Sequence, residues 1–144
     1  MALPILRIVV VDDSRDSADT LAATLECLGQ RVRVAYDGVS ALAAIQEMHP
    51  DIAVLDIGMP GLSGHELAKR VRMDPELTGL TLIALSGWGL PADRKFALAS
   101  GFDEHYAKPI GIETLEQIVR EAATRSGGTQ RADAAIGAPV AEGT

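Results

Sequence analysis

Short β-branched runs alternate five times with amphipathic stretches along this chain, and that alternation constrains the fold more than any other feature. The first run, Ile5 to Val11, ends at Asp12-Asp13 and is followed by Ala18, Leu21, Ala22, Leu25 and Leu28 at helical spacing. Gly29 then stands where a left-handed helix cap is needed. Arg31 to Tyr36 alternates like a half-exposed edge strand, and Asp37-Gly38 predicts a turn. Ala41, Leu42, Ile45 and Met48 form a second apolar stripe, stopped by His49-Pro50. The third strand, Ile52 to Leu55, ends at Asp56. A type II turn is expected at Met59-Pro60-Gly61, and Ser63-Gly-His-Glu66 fits a capping box opening a helix that buries Leu67 and Val71. Leu80 to Leu85 is a fourth strand ending at Ser86-Gly87-Trp88-Gly89, and Pro91 suits the first turn of a helix closing near Gly101. Phe102 to Ala107 is a weaker fifth strand before Lys108-Pro109, and Leu115, Ile118, Val119 and Ala122 line a last helix.

Strand-helix alternation of this kind predicts a doubly wound α/β fold, a parallel sheet covered on both faces and joined by right-handed crossovers. The domain is expected over residues 1–125, and residues 126–144, rich in Gly, Ala and Thr without a large apolar set, are expected to form a disordered tail. Composition narrows the function. The 144 residues carry 13 Lys and Arg against 20 Asp and Glu, a net charge of -7, which disfavours binding to a phosphate backbone. No run approaches a membrane span, and no secretory leader is visible, so a cytoplasmic protein with no nucleic-acid or membrane partner is expected. The single cysteine, Cys27, excludes an internal disulfide and reads as packing filler. Aromatic residues make up only 3%, too few for stacking a flat cofactor.

In a doubly wound sheet, ligands sit beyond the carboxyl ends of the strands. Asp12-Asp13, Asp56, Ser86 and Lys108 each lie at such an end. Three carboxylates and one ammonium leave about -2, which suits a divalent cation, and Mg2+ with its preference for hard oxygen ligands is the natural occupant. Asp56 is then the candidate nucleophile toward phosphorus. Asp12 and Asp13 would hold the metal, Lys108 would pair with a phosphoryl oxygen, and Ser86 would donate to another. Gly87 leaves the phosphoryl group room, and Gly58 can offer a backbone carbonyl to the metal. Singly these residues have plainer readings: Asp12, Asp13 and Asp16 suit a helix N-terminus, and a Lys-Pro step suits a loop. His49 and His65 read as surface residues, and Trp88 as a loop anchor.

The motifs V-V-V-D12-D13, L-D56-I-G-M-P60-G-L-S-G64, A-L-S86-G and K108-P109 resemble those of the receiver domain of two-component response regulators, over residues 5 to about 122. The resemblance implies a flavodoxin-like five-stranded sheet in the order 2-1-3-4-5, an order that the general rule for such folds illustrates with a chemotaxis member of this family. It also implies that Asp56 takes its phosphoryl group from a phosphohistidine on a sensor histidine kinase or histidine phosphotransfer protein, and that Lys108-Pro109 is cis. A downstream protein target would meet helix 4, strand 5 and helix 5. One departure concerns the switch position three residues before the Lys, Tyr or Phe in many receivers. It is His105 here, paired by the resemblance with Ser86 and titratable near neutrality. Trp88, two residues beyond Ser86, is the other departure. A single-domain regulator is expected from the initiating Met and the unstructured C-terminus. The alternatives are the receiver portion of a hybrid histidine kinase, a hydrolase of the haloacid dehalogenase type, and a pseudo-receiver without phosphorylation.

Overall fold

The computed structural model describes residues 3–58, 63–87 and 89–126. Five strands, β1 (Arg7–Val11), β2 (Arg31–Ala35), β3 (Ile52–Asp56), β4 (Thr81–Ser86) and β5 (Glu104–Ala107), form one parallel sheet in the order β2-β1-β3-β4-β5. Helices α1 (Arg15–Cys27), α2 (Gly38–Met48), α3 (Gly64–Met73), α4 (Pro91–Ser100) and α5 (Ile112–Ser126) follow the strands in turn. The expected fold class and strand order are both present. The Met59-Pro60-Gly61 turn, Trp88 and the tail beyond residue 126 lie outside the described residues.

Side-chain alternation along the strands builds two cores. Val9, Val11, Ala53, Leu55, Leu82 and Ala84 pack against Ile45 of α2, Leu67 of α3 and Ala97 of α4. Ile8, Val10, Ile52, Val54, Ile83 and Leu85 pack against Leu25 of α1 and Leu115 and Val119 of α5. β3 is therefore buried at every position, as a central parallel strand should be. At one edge, β2 alternates with Arg31 and Arg33 exposed.

Helix ends follow local chemistry, with some differences from expectation. Ser63 and Glu66 form the expected capping box on α3, Pro91 opens α4, and Gly101 closes it with φ 113. Asp37-Gly38 is not a free turn: Asp37 is the N-cap of α2, its carboxylate accepting from the Ser40 amide, and Gly38 is the first helical residue. β4 starts at Thr81 because the Leu80 amide still closes the preceding turn on Leu77. β5 starts at Glu104 because Phe102 bonds back to Ala97 and is buried beneath α4. Cys27 is exposed at the end of α1, so it does not fill the core.

Two side chains tie α3 to its surroundings. Arg72 donates to the carbonyls of Gly101 and Leu80, each at 2.8 Å, and to Asp103 Oδ2 at 2.7 Å; the same Asp103 oxygen accepts from the Leu82 amide. Arg72→Ala would take this donor from two carbonyls and leave Asp103 with the Leu82 amide, and should cost about 2–3 kcal/mol. A urea midpoint equal to that of the wild type would show that the network is incidental.

His65 is no plain surface residue. Its ring stacks on Phe96 at 3.8 Å, and Nδ1 lies 3.0 Å from Ser100 Oγ, whose own hydrogen goes to the Phe96 carbonyl. Nδ1 is therefore the donor. Burial, aided by Lys69 and opposed by Asp93, lowers the pKa of His65 below 6.5. The unfolded chain then binds more protons in that window. The stability from this site is complete above about pH 6.5 and is lost as pH falls through the folded value. His65→Leu should lose less of its urea midpoint between about pH 7 and about pH 5.5 than the wild type; equal losses would refute it.

Candidate functional site

Strand order places β3 between β1 and β4, so the residues at their carboxyl ends share one crevice. Asp12 follows β1, Asp56 ends β3, Ser86 ends β4 and Lys108 follows β5. Backbone bonds carry the alignment past the strand ends: the Asp12 amide donates to Ala35, Ile57 to Leu85, and Lys108 to Ser86. The Lys108-Pro109 bond is cis, as expected.

The side chains of Asp12, Asp13 and Asp56 each offer an oxygen within 4.8 Å of the others. Lys108 Nζ lies 2.7 Å from Asp12 Oδ2 and 3.3 Å from Asp56 Oδ2. The other oxygens are held by backbone: the Ser14 amide donates to Asp12 Oδ1 and the Gly58 amide to Asp56 Oδ1, both at 2.9 Å. Asp12 and Asp56 are buried, and Asp13 is exposed. Asp12 and Asp13 do not cap α1, because Ser14 does so by accepting from the Ser17 amide, whereas Asp16 stands in its first turn. The sequence reading missed Ser14, although its place one turn before the first apolar stripe is a cap signal.

Electrostatics follow from this crowding. Burial raises the pKa of Asp56 above the ordinary carboxylate value, against the Gly58 amide and the Lys108 ammonium, and the Asp12 charge pushes in the same direction as burial. Burial alone would lower the Lys108 pKa, but its hydrogen bond to Asp12 and the charges of Asp56 and Asp12 outweigh that and raise it. The ammonium is thus locked in its charged form between two carboxylates. A cluster of hard oxygen donors with net charge of about -2 fits a divalent cation of the magnesium type.

Ser86 Oγ is buried, lies 2.8 Å from His105 Nε2 and accepts from the Gly89 amide at 3.2 Å. The structure brings Ser86 and His105 into direct contact. Tyr106 falls on the opposite face, among the α1 and α5 core, its hydroxyl donating to Glu104. A Cβ at Gly87 would meet nothing within 4 Å. A Cβ at Gly58 would lie 3.5 Å from Asp56 Oδ1, an ordinary contact. The Gly64 backbone packs hard on the same strand end: a Cβ there would fall 2.9 Å from the Asp56 carbonyl oxygen. No helix among the described residues is long and apolar enough to cross a membrane.

Comparison with known proteins agrees with this geometry. The chain is 39% identical over 126 residues to the virulence sensor protein BvgS of Bordetella pertussis, covering 84% of this chain and 10% of that protein. The chain thus spans a small part of BvgS. It is 38% identical over 114 residues to a 14.6 kDa protein encoded in the sodA1 3′ region of Leptolyngbya boryana, covering 79% of this chain and 87% of that one. Among solved structures, the Vibrio cholerae chemotaxis protein CheY4 superposes with a TM-score of 0.76 at 28% identity, over 83% of this chain and 99% of that one. The family model described as response regulator receiver domain matches residues 8–120, which include every site residue discussed above. A match of that extent, carried on the same doubly wound sheet, makes the chain a member of the response regulator receiver domain family of two-component systems.

Proposed function

We propose that Asp56 of this chain accepts a phosphoryl group from a phosphohistidine on a sensor histidine kinase or histidine phosphotransfer protein. Magnesium binding and phosphorylation are general features of receiver domains, which interact with such kinases, phosphotransfer proteins and effector partners. The observation that carries the reading is one ammonium, Lys108 Nζ, set against both Asp12 and Asp56 in a cluster that Asp13 completes.

Asp12, Asp13 and Asp56, with the Gly58 backbone carbonyl, would hold a magnesium ion. When bound, it offsets the charge of the carboxylates and of the incoming phosphoryl oxygens. The Gly58 amide holds Asp56 Oδ1, and Oδ2, 3.3 Å from Lys108 Nζ, attacks phosphorus as the bond to the donor imidazole nitrogen breaks and Lys108 turns to a phosphoryl oxygen. Lys108 and the Ser86 hydroxyl each take one phosphoryl oxygen. A cleft of about 320 Å³ between α1 and the segment after β5, lined by Ser17, Thr20, Leu21, Pro109 and Ile110, opens onto Asp12 and Lys108 and gives the donor its approach. Signalling runs through protein contacts on the face of α4, β5 and α5; Leu90 before α4, Leu98 on α4 and Ile112 on α5 are large exposed apolar residues of these elements.

The test is incubation of the full chain with magnesium and acetyl phosphate, or with magnesium and beryllofluoride. Bound phosphoryl is followed by intact mass, and beryllofluoride by the fluorescence of Trp88, the single tryptophan. An alkali-labile adduct should form with magnesium and fail to form after chelation. Rapid turnover of phosphate esters would point to a hydrolase, and no uptake at all to a pseudo-receiver. The 87% span of the Leptolyngbya boryana relative supports a free-standing cytoplasmic regulator, and the likeness to BvgS supports the second reading, a receiver segment of a hybrid histidine kinase. Immunoblotting of the native protein separates them: a band near 15.1 kDa favours the first, a much larger one the second.

A further inference from the structure

Ser86 Oγ has two polar neighbours and one hydrogen. A hydroxyl donates once and accepts twice. The Gly89 amide occupies one lone pair, at 3.2 Å, and His105 Nε2 lies 2.8 Å away. If Nε2 is bare, the Ser86 hydrogen is spent on the imidazole. If Nε2 carries a hydrogen, the ring donates into Oγ, both lone pairs are filled, and the Ser86 hydrogen is left for a third partner. Leu85, the residue before Ser86, is the register partner of Asp56, and His105 is the register partner of Ala84, two residues before Ser86. Ser86 therefore stands on the strand beside the phosphoacceptor, and His105 on the strand beyond it.

Among the described residues no ion pair reaches His105. β4 presents Ala84 and Ser86 to it, neither charged. On α4, which packs against β5, Asp93 acts on His65, Arg94 acts on Tyr106, and Lys95 makes no ion pair with His105. On and just after the ring's own strand, Glu104 accepts from the Tyr106 hydroxyl on the opposite face, and Lys108 is held by Asp12 and Asp56. Among the described residues, Ser86 is the polar partner of this imidazole.

We propose that His105 is a positioning residue whose ring hydrogen sets the direction of the Ser86 hydroxyl, linking phosphoryl binding at Asp56 to proton uptake by the imidazole. The inference rests on Asp56 being the phosphoacceptor. With the neutral Nδ1–H form, Ser86 donates to Nε2 and turns from the site. When a phosphoryl group arrives, Nε2 takes one proton from water and donates into Oγ, and the freed Ser86 hydrogen bonds to a phosphoryl oxygen. The negative charge of the phosphoryl group favours the imidazolium in the same direction. Linkage makes the effect reciprocal: a proton on His105 tightens phosphoryl binding by the factor by which phosphoryl binding tightens the proton.

The experiment uses the full chain with magnesium and beryllofluoride. The His105 ring is titrated by NMR with and without the mimic, and beryllofluoride affinity is read by fluorescence at about pH 5.5 and about pH 8. Each affinity is divided by that of His105→Phe at the same pH, which cancels the pH dependence of the probe and of other groups. The His105 midpoint should rise by about one pH unit on binding, and the normalised affinity should be about tenfold greater at the acid pH. Ser86→Ala should cut that gain to the part that the phosphoryl charge alone supplies. Equal midpoints with and without beryllofluoride, or an undiminished gain in Ser86→Ala, overturns the inference and leaves the Asp56 reading standing. A lack of magnesium-dependent binding at every pH overturns both.

Discussion

Asp56→Asn should abolish uptake of the phosphoryl group, by a factor of about 10³ or more, while the protein stays folded. The amide keeps the shape of the carboxylate and an oxygen to accept from Gly58, and Lys108 keeps its partner Asp12 at 2.7 Å. What disappears is the charged oxygen able to attack phosphorus. Stability should move the other way. Burial raises the pKa of Asp56, and Asp12 repels it, so removing the charge relieves both effects at the loss of one contact to Lys108 at 3.3 Å. A urea midpoint equal to or above that of the wild type is expected at neutral pH. Intact-mass measurement after acetyl phosphate treatment decides the first point: an alkali-labile adduct in Asp56→Asn would move the nucleophile to another residue.

Gly64→Ala carries the second large effect, on stability and uptake together. The added Cβ would stand 2.8 Å from Ile57 Cα and 2.9 Å from the Asp56 carbonyl oxygen, both backbone atoms that no rotamer change can move aside. Overpacking of this kind costs about 1–3 kcal/mol. Relief requires α3 to back away or the end of β3 to shift. Leu67, Ala68 and Val71 are each fully buried and anchor the inner face of α3, so the strand end and the carboxylate it carries should give way. Beryllofluoride affinity should fall about tenfold alongside the lower midpoint. Gly79→Ala, at a site where a Cβ meets nothing within 4 Å, is the control that should leave the affinity unchanged.

Much of this was legible in the sequence. Short apolar runs and helical stripes located the five strands and the five α-helices, because central strands are buried on both faces and each helix buries one stripe, and strand ends alone brought Asp12, Asp56, Ser86 and Lys108 to one edge. Features that depend on tertiary approach were not legible. Asp37 looked like a turn residue because Asp-Gly is good turn chemistry, yet the same carboxylate caps a helix when the next residues are helical. His65 looked exposed because its partners Phe96 and Ser100 lie a whole strand and helix further along the chain. Arg72 gave no signal at all, since two of its three acceptors are backbone carbonyls. The direct bond between Ser86 and His105 needed the β4–β5 register, which spacing alone does not supply.

The edges of the sheet have a consequence of their own. β2 carries exposed Arg31 and Arg33, with Arg33 paired to Glu47 at 2.9 Å, and β5 at the other edge is only four residues long. A charged edge and a short one are both poor templates for strand addition from a neighbouring molecule. A signalling protein built this way can accumulate in a crowded cell without polymerising through its sheet, which leaves the helical faces for regulated encounters.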